Sequence, residues 1–349
     1  MMPDSTLTAI ENKVRRLTRS PTENQLSTAT IDDYINTFIY YDFPEHLRLF
    51  DLRQTFTFYT QPNIDTYTTT TTNVNDPFYN FQNQYISVHE PAYIAGYPAL
   101  FSQSREQFFG IYPMVNNISS IGVAGDGVTT TFTGTVNNAN APFPNITNTP
   151  ILQNQVLFSS IDINNNSLAM IDSPLSSELG QLYPYNGPIT PDPFNIINYI
   201  TGQFTVTFPT APAEGVAINS ETVPYVAALP QALCYFNNTF ILRPVPDQAY
   251  RVNMEVYVRP TALLAANQSP QLEQWWQYIA YGASKKIFED RMDPDSVQII
   301  MPEFKVQEVL VLRKTLVTYA KERVGTIYTE STGIGAGNSG WSWGGTGNF

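Results

Sequence analysis

The sequence predicts an α+β chain: a discontinuous helical bundle from both chain ends, a large inserted all-β domain, and a flexible C-terminal tail. Three observations predict it. Apolar residues recur at helical spacing near both ends. From Gln54 the spacing drops to two, the period of a strand with one buried face. Between Arg105 and Arg243 there is not one Lys or Arg, and short β-prone runs alternate with Asn, Thr, Pro and Gly. The boundaries that follow are 1–53 and 262–330 for the two helical halves, 54–261 for the β domain and 331–349 for the tail.

Leu7, Ile10, Val14 and Leu17 make one helical stripe, with Lys13, Arg15, Arg16 and Arg19 near the C-terminal end, where the helix dipole favours cations. Ser20-Pro21 stops that helix. Thr30 is the expected cap of a second helix with Asp33 in its first turn, and Ile31, Tyr34, Ile35, Phe38 and Ile39 form its buried face. A further turn is expected at "PEHLRLF", opened by Pro44.

"QTFTFYTQPNIDTYTT" then sets Phe56 and Phe58 on one face of a strand and turns at Gln61-Pro62-Asn63. "VTTTFTGTV", "QVLFSSIDI" and "GQFTVTF" read as strands, the first preceded by Asp126-Gly127, a tight-hairpin signal. A second hairpin is expected in "TFILRPVPDQAYRVNMEVYVRP", turning at Pro246-Asp247, where Val252, Met254 and Val256 alternate with Arg251, Asn253 and Glu255.

Helices return after Ser269-Pro270, an expected cap and first turn, with Leu272, Trp275, Trp276, Ile279, Ala283 and Ile287 on one broad face. Trp275 and Trp276 read as core or subunit contact rather than a ligand platform. "DPDSVQIIM" starts a short helix, and Pro302 opens a longer one whose stripe is Val306, Val309, Leu310, Leu316, Val317, Ala320 and Val324, ending near Gly325. Tyr34, Phe38, Trp275, Trp276, Ile279, Leu310 and Leu316 are thus the candidate core or subunit contacts of the helical domain.

Composition narrows the function classes. Of 349 residues 42% are apolar and 13% aromatic, ample for a core, while only 14% are charged, so much surface is neutral. A net charge of −12 argues against gripping nucleic acid by counterion release, which needs clustered Lys and Arg. Cys234, the single cysteine, reads as a buried hydrophobe. The N-terminus lacks a signal-peptide core, and no apolar run marks a membrane span, so a cytoplasmically made protein with no membrane partner is expected.

Chemistry-bearing motifs are scarce. His46 and His89 are far apart in sequence, too few for a His-based metal site. Asp32-Asp33 and Asp293/Asp295 read as helix caps. "GIGAGNSG" follows no strand and precedes no helix, so it reads as linker rather than phosphate loop. No catalytic residue, cofactor or metal is therefore expected, and the chain reads as a structural part rather than an enzyme.

The segments "IDDYINTFIYYDFPEHLRLFDLRQTFTFYTQPNIDTY" and "FILRPVPDQAYRVNMEVYVRPTALLAANQSPQLEQWWQYIAYGASKKIFEDRMDPDSVQIIMPEF" resemble the opening and closing halves of tailed-bacteriophage head-to-tail adaptor proteins, also called connector or tail-tube ring proteins, as in short-tailed phages. The carriers are a "YIN" helix, a Phe-Pro, a Leu-Arg pair and a "TFT" strand in the first, and a Pro-rich hairpin, "YGASKKIFE" and an Asp-Pro helix start in the second. "GDGVTTTFTGT" is similar to a β segment of phage virion proteins.

That resemblance implies a virion protein, assembled in the host cytoplasm, forming a homo-oligomeric ring of commonly about twelve copies below the portal protein. Such a ring extends the DNA channel for genome ejection, passes double-stranded DNA without sequence preference and meets a tail nozzle, further ring or fibre. The large β insertion departs from shorter adaptors and leaves the tail partner open. Trp341, Trp343 and Phe349 then read as portal or neighbour anchors on a flexible tether, weak singly and strong as a ring; the alternative is a disordered end whose aromatics do nothing. Rival readings are a receptor-binding or decoration protein, with the β region as the binding module, and a tail-associated glycan hydrolase using Asp126 or Asp162.

Overall fold

The computed structural model describes residues 5–43, 50–136, 149–188, 194–270 and 273–341. The expected turn at "PEHLRLF" and His46 lie mostly or wholly outside them. The chain divides into two compact units, Met1–Gln54 with Asn83–Ser87 and Val256–Phe349, and Thr55–Gln82 with Val88–Glu255.

The class is β-dominated. Two sheets, of seven and eight strands, take in every strand from Arg53 to Val258, and the helices are few. The expected helical bundle with an inserted β domain is therefore overturned. Helical stripes are legible within one segment, which gave the chain ends too much weight. The class is decided by ladders between strands far apart in sequence, which local periodicity does not reveal.

The seven-stranded sheet contains β1 (Arg53–Tyr59), β2 (Thr66–Thr68), β3 (Tyr85–Ile94), β4 (Tyr97–Ser102), β13 (Ala232–Phe236), β14 (Thr239–Arg243) and β15 (Arg251–Val258). Its order is β1-β15-β3-β4-β13-β14-β2, a half-barrel. Phe56 and Phe58 face inward as expected, and an aromatic cluster fills the concave side: Phe58 lies 4.9 Å from Phe78 and 5.7 Å from Phe240, which is 4.4 Å from Tyr235. Such pairs add about 0.5–1.5 kcal/mol each beyond their burial. Buried Arg243 donates to buried Asp65, so the cation that ends the Lys- and Arg-free stretch is held internally.

The expected hairpin at Pro246-Asp247 does not form, because β14 pairs with β13 and β2 while β15 lies between β1 and β3. The tight hairpin is β13–β14, turning on Asn237-Asn238 with φ of 47° and 59°. Two consecutive left-handed residues define the turn that matches strand twist, and Asn tolerates that backbone.

The eight-stranded sheet is β5 (Asn117–Ala124), β12 (Ala217–Thr222), β7 (Leu157–Ile161), β8 (Ser167–Pro174), β9 (Leu179–Pro184), β10 (Ile196–Asn198), β11 (Gln203–Thr207) and β6 (Thr131–Thr135), in that order. Asp126-Gly127 thus links the two edge strands instead of making a hairpin ladder. That link dictates curvature. Flat, eight strands at ~4.8 Å spacing would hold the edges about 33 Å apart, whereas the chain from Ala124 to Thr131 reaches at most about 24 Å. The sheet curls into a nearly closed barrel around Phe158, Met170, Leu182, Ile197, Phe204, Val206 and Ile218.

Among the helices, α1 (Leu7–Leu17) is capped by Thr6 and α2 (Thr28–Thr37) by Ser27, whose Oγ accepts from the Thr30 N–H. Thr30 is therefore not the cap, and Asp32 and Asp33 lie inside the helix. A π-helical turn, Phe38–Asp42, extends α2. Short helices α3 (Phe81–Gln84) and α4 (Arg105–Ile111) follow. Helix α5 (Trp276–Asp290) starts after a 3-10 turn and has no side-chain cap, so Ser269 does not open it. Helix α6 runs unbroken from Pro294 to Trp341 with Pro302 inside it. Neither the break at Pro302 nor the expected flexible tail from residue 331 is present up to Trp341. Once nucleated, each added residue brings one hydrogen bond, and the helix runs past Gly325, its expected end, and through four further glycines, each costing about 1 kcal/mol.

Candidate assembly surface

In the unit containing both termini, one aromatic knot joins α2, its π-helical extension, α5 and α6. Phe38 lies 5.4 Å from Tyr278 and 6.3 Å from Phe304, and Tyr278 stacks on Phe304 at 5.0 Å. Gly282 makes this closeness possible: a Cβ there would sit 2.2 Å from the Phe38 ring. Ile279 is fully buried in the same core, with Leu7, Ile10 and Val14 from α1. Trp275 and Trp276 are half-buried against it, and Lys314 sits 5.2 Å over the Trp275 ring. The Tyr34 hydroxyl donates to Asp290, which raises the phenol pKa.

Helix α6 has two apolar faces. Ile300, Phe304 and Val311, with buried Thr315, form the inner one. On the other side Ile299, Val306, Val309, Leu310, Leu316 and Val317 are exposed, Ile299 at 73% and Leu316 at 65%. The stripe whose members read as core or subunit contact in the sequence is thus the outward face. Leu310 and Leu316 are not core, and the side chains of Ala320 and Val324 lie outside the described residues. The reason is register: Phe304 and its i+7 neighbour Val311 match the aromatic knot, turning the larger apolar stripe away. A helix that is apolar all round is normally covered all round. Glu303, Lys305 and Arg313 are exposed on the same helix, so both signs of charge accompany the stripe.

Between α1 and α2, burial and the neighbouring Asp32 push the Glu11 carboxyl up to about 7, and the Asp32 carboxyl is raised as well. Arg15 ties the two helices together, donating to Leu26 O at 2.7 Å, Thr28 Oγ1 at 2.8 Å and Glu23 at 2.6 Å. Lys286 of α5 pairs with Asp42 at 2.8 Å. These contacts fix helices against each other and set up no proton transfer to a ligand.

The remaining candidates are dispersed. Trp341 is the last residue of α6, with its side chain outside the described set, and Trp343 and Phe349 lie outside it entirely. Asp126 accepts from Val128 N–H and from the Thr129 N–H and hydroxyl, which hold its carboxyl down to about 2. Asp162 likewise closes a turn over Asn164 and Asn166, which lower its pKa. Both acids named for the hydrolase reading therefore serve as turn clamps. Asp293 accepts from Ser296 N–H and caps α6 as expected. Cys234 is buried in β13. His89 lies on β3, and among the described residues no group of three or more His, Cys, Asp and Glu side chains is placed to hold a metal ion.

No family model and no curated protein matches the chain. Among solved structures, VP17, a capsid protein of bacteriophage P23-77, is similar at 14% identity over 62% of this chain and 88% of that one, with a TM-score of 0.20.

Proposed function

We propose that the chain is a structural protein of a bacteriophage virion that packs side by side with copies of itself into a ring, joining capsid to tail and continuing the DNA channel. The outward apolar face of α6 is the observation that carries the self-assembly. Fully burying one Val, Leu or Ile is worth ~1.5–3 kcal/mol, so six such side chains can offset the cost of association. Both signs of charge beside the stripe let neighbouring copies meet without like-charge repulsion. A head-to-tail contact that closes by rotation makes a ring.

The phage and portal-vertex part of the reading is supported by the resemblance of residues 31–67 and 240–304 to adaptor proteins. Its partners would be the portal protein above and a nozzle, further ring or fibre below. A net charge of −12 suits a channel that lets a duplex slide, since phosphates meet few cationic traps.

The test is direct. Negative-stain class averages of the purified chain should show rings with an axial hole, and mass photometry should give one closed oligomer near twelve copies. Replacing Val309 and Leu316 together with Asp should return monomers. A wild-type chain that stays monomeric at micromolar concentration, alone and with a portal preparation, overturns the reading.

A further inference from the structure

Cross-strand register places a row of side chains on the outer wall of the eight-stranded barrel. Glu221 on β12 pairs with Leu157 on β7, Leu157 with Ile171 on β8, and Ile171 with Tyr183 on β9. Their partly exposed side chains alternate with inward-facing Phe158, Met170, Asp172 and Leu182. Above this row, Asn116, Asn154, Gln155 and Val156, with Asp172 behind them, complete the wall of a cavity of about 400 Å³. That size suits one small ring-shaped ligand.

The walls are built rather than incidental. Asp172, 4% exposed, accepts from Asn154 N–H at 2.7 Å, from Val156 N–H at 2.9 Å and from the Tyr199 hydroxyl at 2.7 Å. This clamps the 153–156 loop onto the barrel from inside. Tyr199 reaches Asp172 because β9 carries Gly180 there; a Cβ would lie 2.0 Å from its hydroxyl oxygen. Asn116 donates its amide to Glu221 and orients that carboxylate.

We propose that this groove binds a neutral saccharide. Its floor of Leu157 and Ile171, with the Tyr183 ring at one end, matches the apolar C–H face of a pyranose. Its rim matches the hydroxyl edge: carboxylate Glu221 accepts from sugar O–H groups, and the amides of Asn116, Asn154 and Gln155 both donate and accept. Anionic ligands are disfavoured, because no Lys or Arg lines the cavity to meet them. A cation is disfavoured because Asp172 already spends its lone pairs on three donors, leaving Glu221 as the single carboxylate on the rim. The inference does not depend on ring formation.

The test is saturation-transfer NMR on the full chain in EDTA, with methyl glycosides of glucose, galactose, mannose and N-acetylglucosamine as probes and sialic acid as the anionic control. At least one neutral glycoside should show saturable transfer at millimolar concentration, and sialic acid should show less. Glu221→Gln should weaken that binding about tenfold, the loss expected for one charge-assisted hydrogen bond, and Tyr183→Ala should abolish it, with circular dichroism unchanged in both. No transfer from any neutral glycoside overturns the proposal. So does transfer that both variants leave intact, or sialic acid binding as well as the neutral sugars.

Discussion

Helices α5 and α6 are both rich in apolar residues on more than one side, yet they are treated oppositely. Tyr278, Ile279, Ala280, Gly282, Ala283, Ser284, Ile287 and Phe288 of α5 are all buried. In α6 the inner residues Ile300, Phe304 and Val311 are covered, while Val306, Val309, Leu310, Leu316 and Val317 are open. The difference is one of supply: α5 is wrapped by α1, α2 and α6, whereas among the described residues α6 packs chiefly on α5 and the 3-10 turn Phe50–Leu52. Hydrophobicity alone therefore does not separate a core helix from an assembly helix, and coverage does.

The largest effect should come from breaking the covered side. Phe38→Ala removes a ring shared by α2, α5 and α6 and should cost ~3–5 kcal/mol in denaturant unfolding. Gly282→Ala tests the same packing from the other partner. The added methyl has nowhere to go unless Phe38 moves, so a loss of ~1–3 kcal/mol is expected; a neutral result would mean the two helices are not held at that spacing.

Changes on the open side should behave otherwise. Val309→Asp with Leu316→Asp should abolish assembly while shifting monomer stability by no more than ~0.5 kcal/mol per site. If these variants unfold the monomer, the outer face of α6 belongs to the fold after all.

The smallest effect concerns the α1–α2 contact. Glu11 holds its proton more tightly folded, near 7, than at its ordinary carboxyl value of 4.5. The folded state binds more protons in that window, so stability is present below it and falls as pH rises from about 4.5 to about 7. Glu11→Gln should flatten this slope in pH-dependent melting by less than ~1 kcal/mol, since the group is only partly buried and solvent screens it.

Some of this was legible residue by residue. The Leu7–Leu17 stripe, the inward Phe56 and Phe58, the Asp293-Pro294 start and the alternation through Val252, Met254 and Val256 depend on neighbours within a few positions, and each is present. The hairpins were not, because Asp-Gly and Pro-Asp signal a turn without naming the strand that follows into the ladder. Asn237-Asn238 carried the relevant signal in plain view. Of the candidate site, the apolar character of Leu310 and Leu316 was legible, and their direction was not.

What the sequence by itself determined is local: where the period is 3.6 and where it is 2, which turns cap and reverse the chain, and that a long central stretch lacks cations. Tertiary structure alone decided the fold class, the closure of the barrel and which face of α6 looks outward. Each of these is a pairing between residues far apart along the chain. A side chain's periodicity records that it has a buried side, but only the partner's arrival settles which side that is.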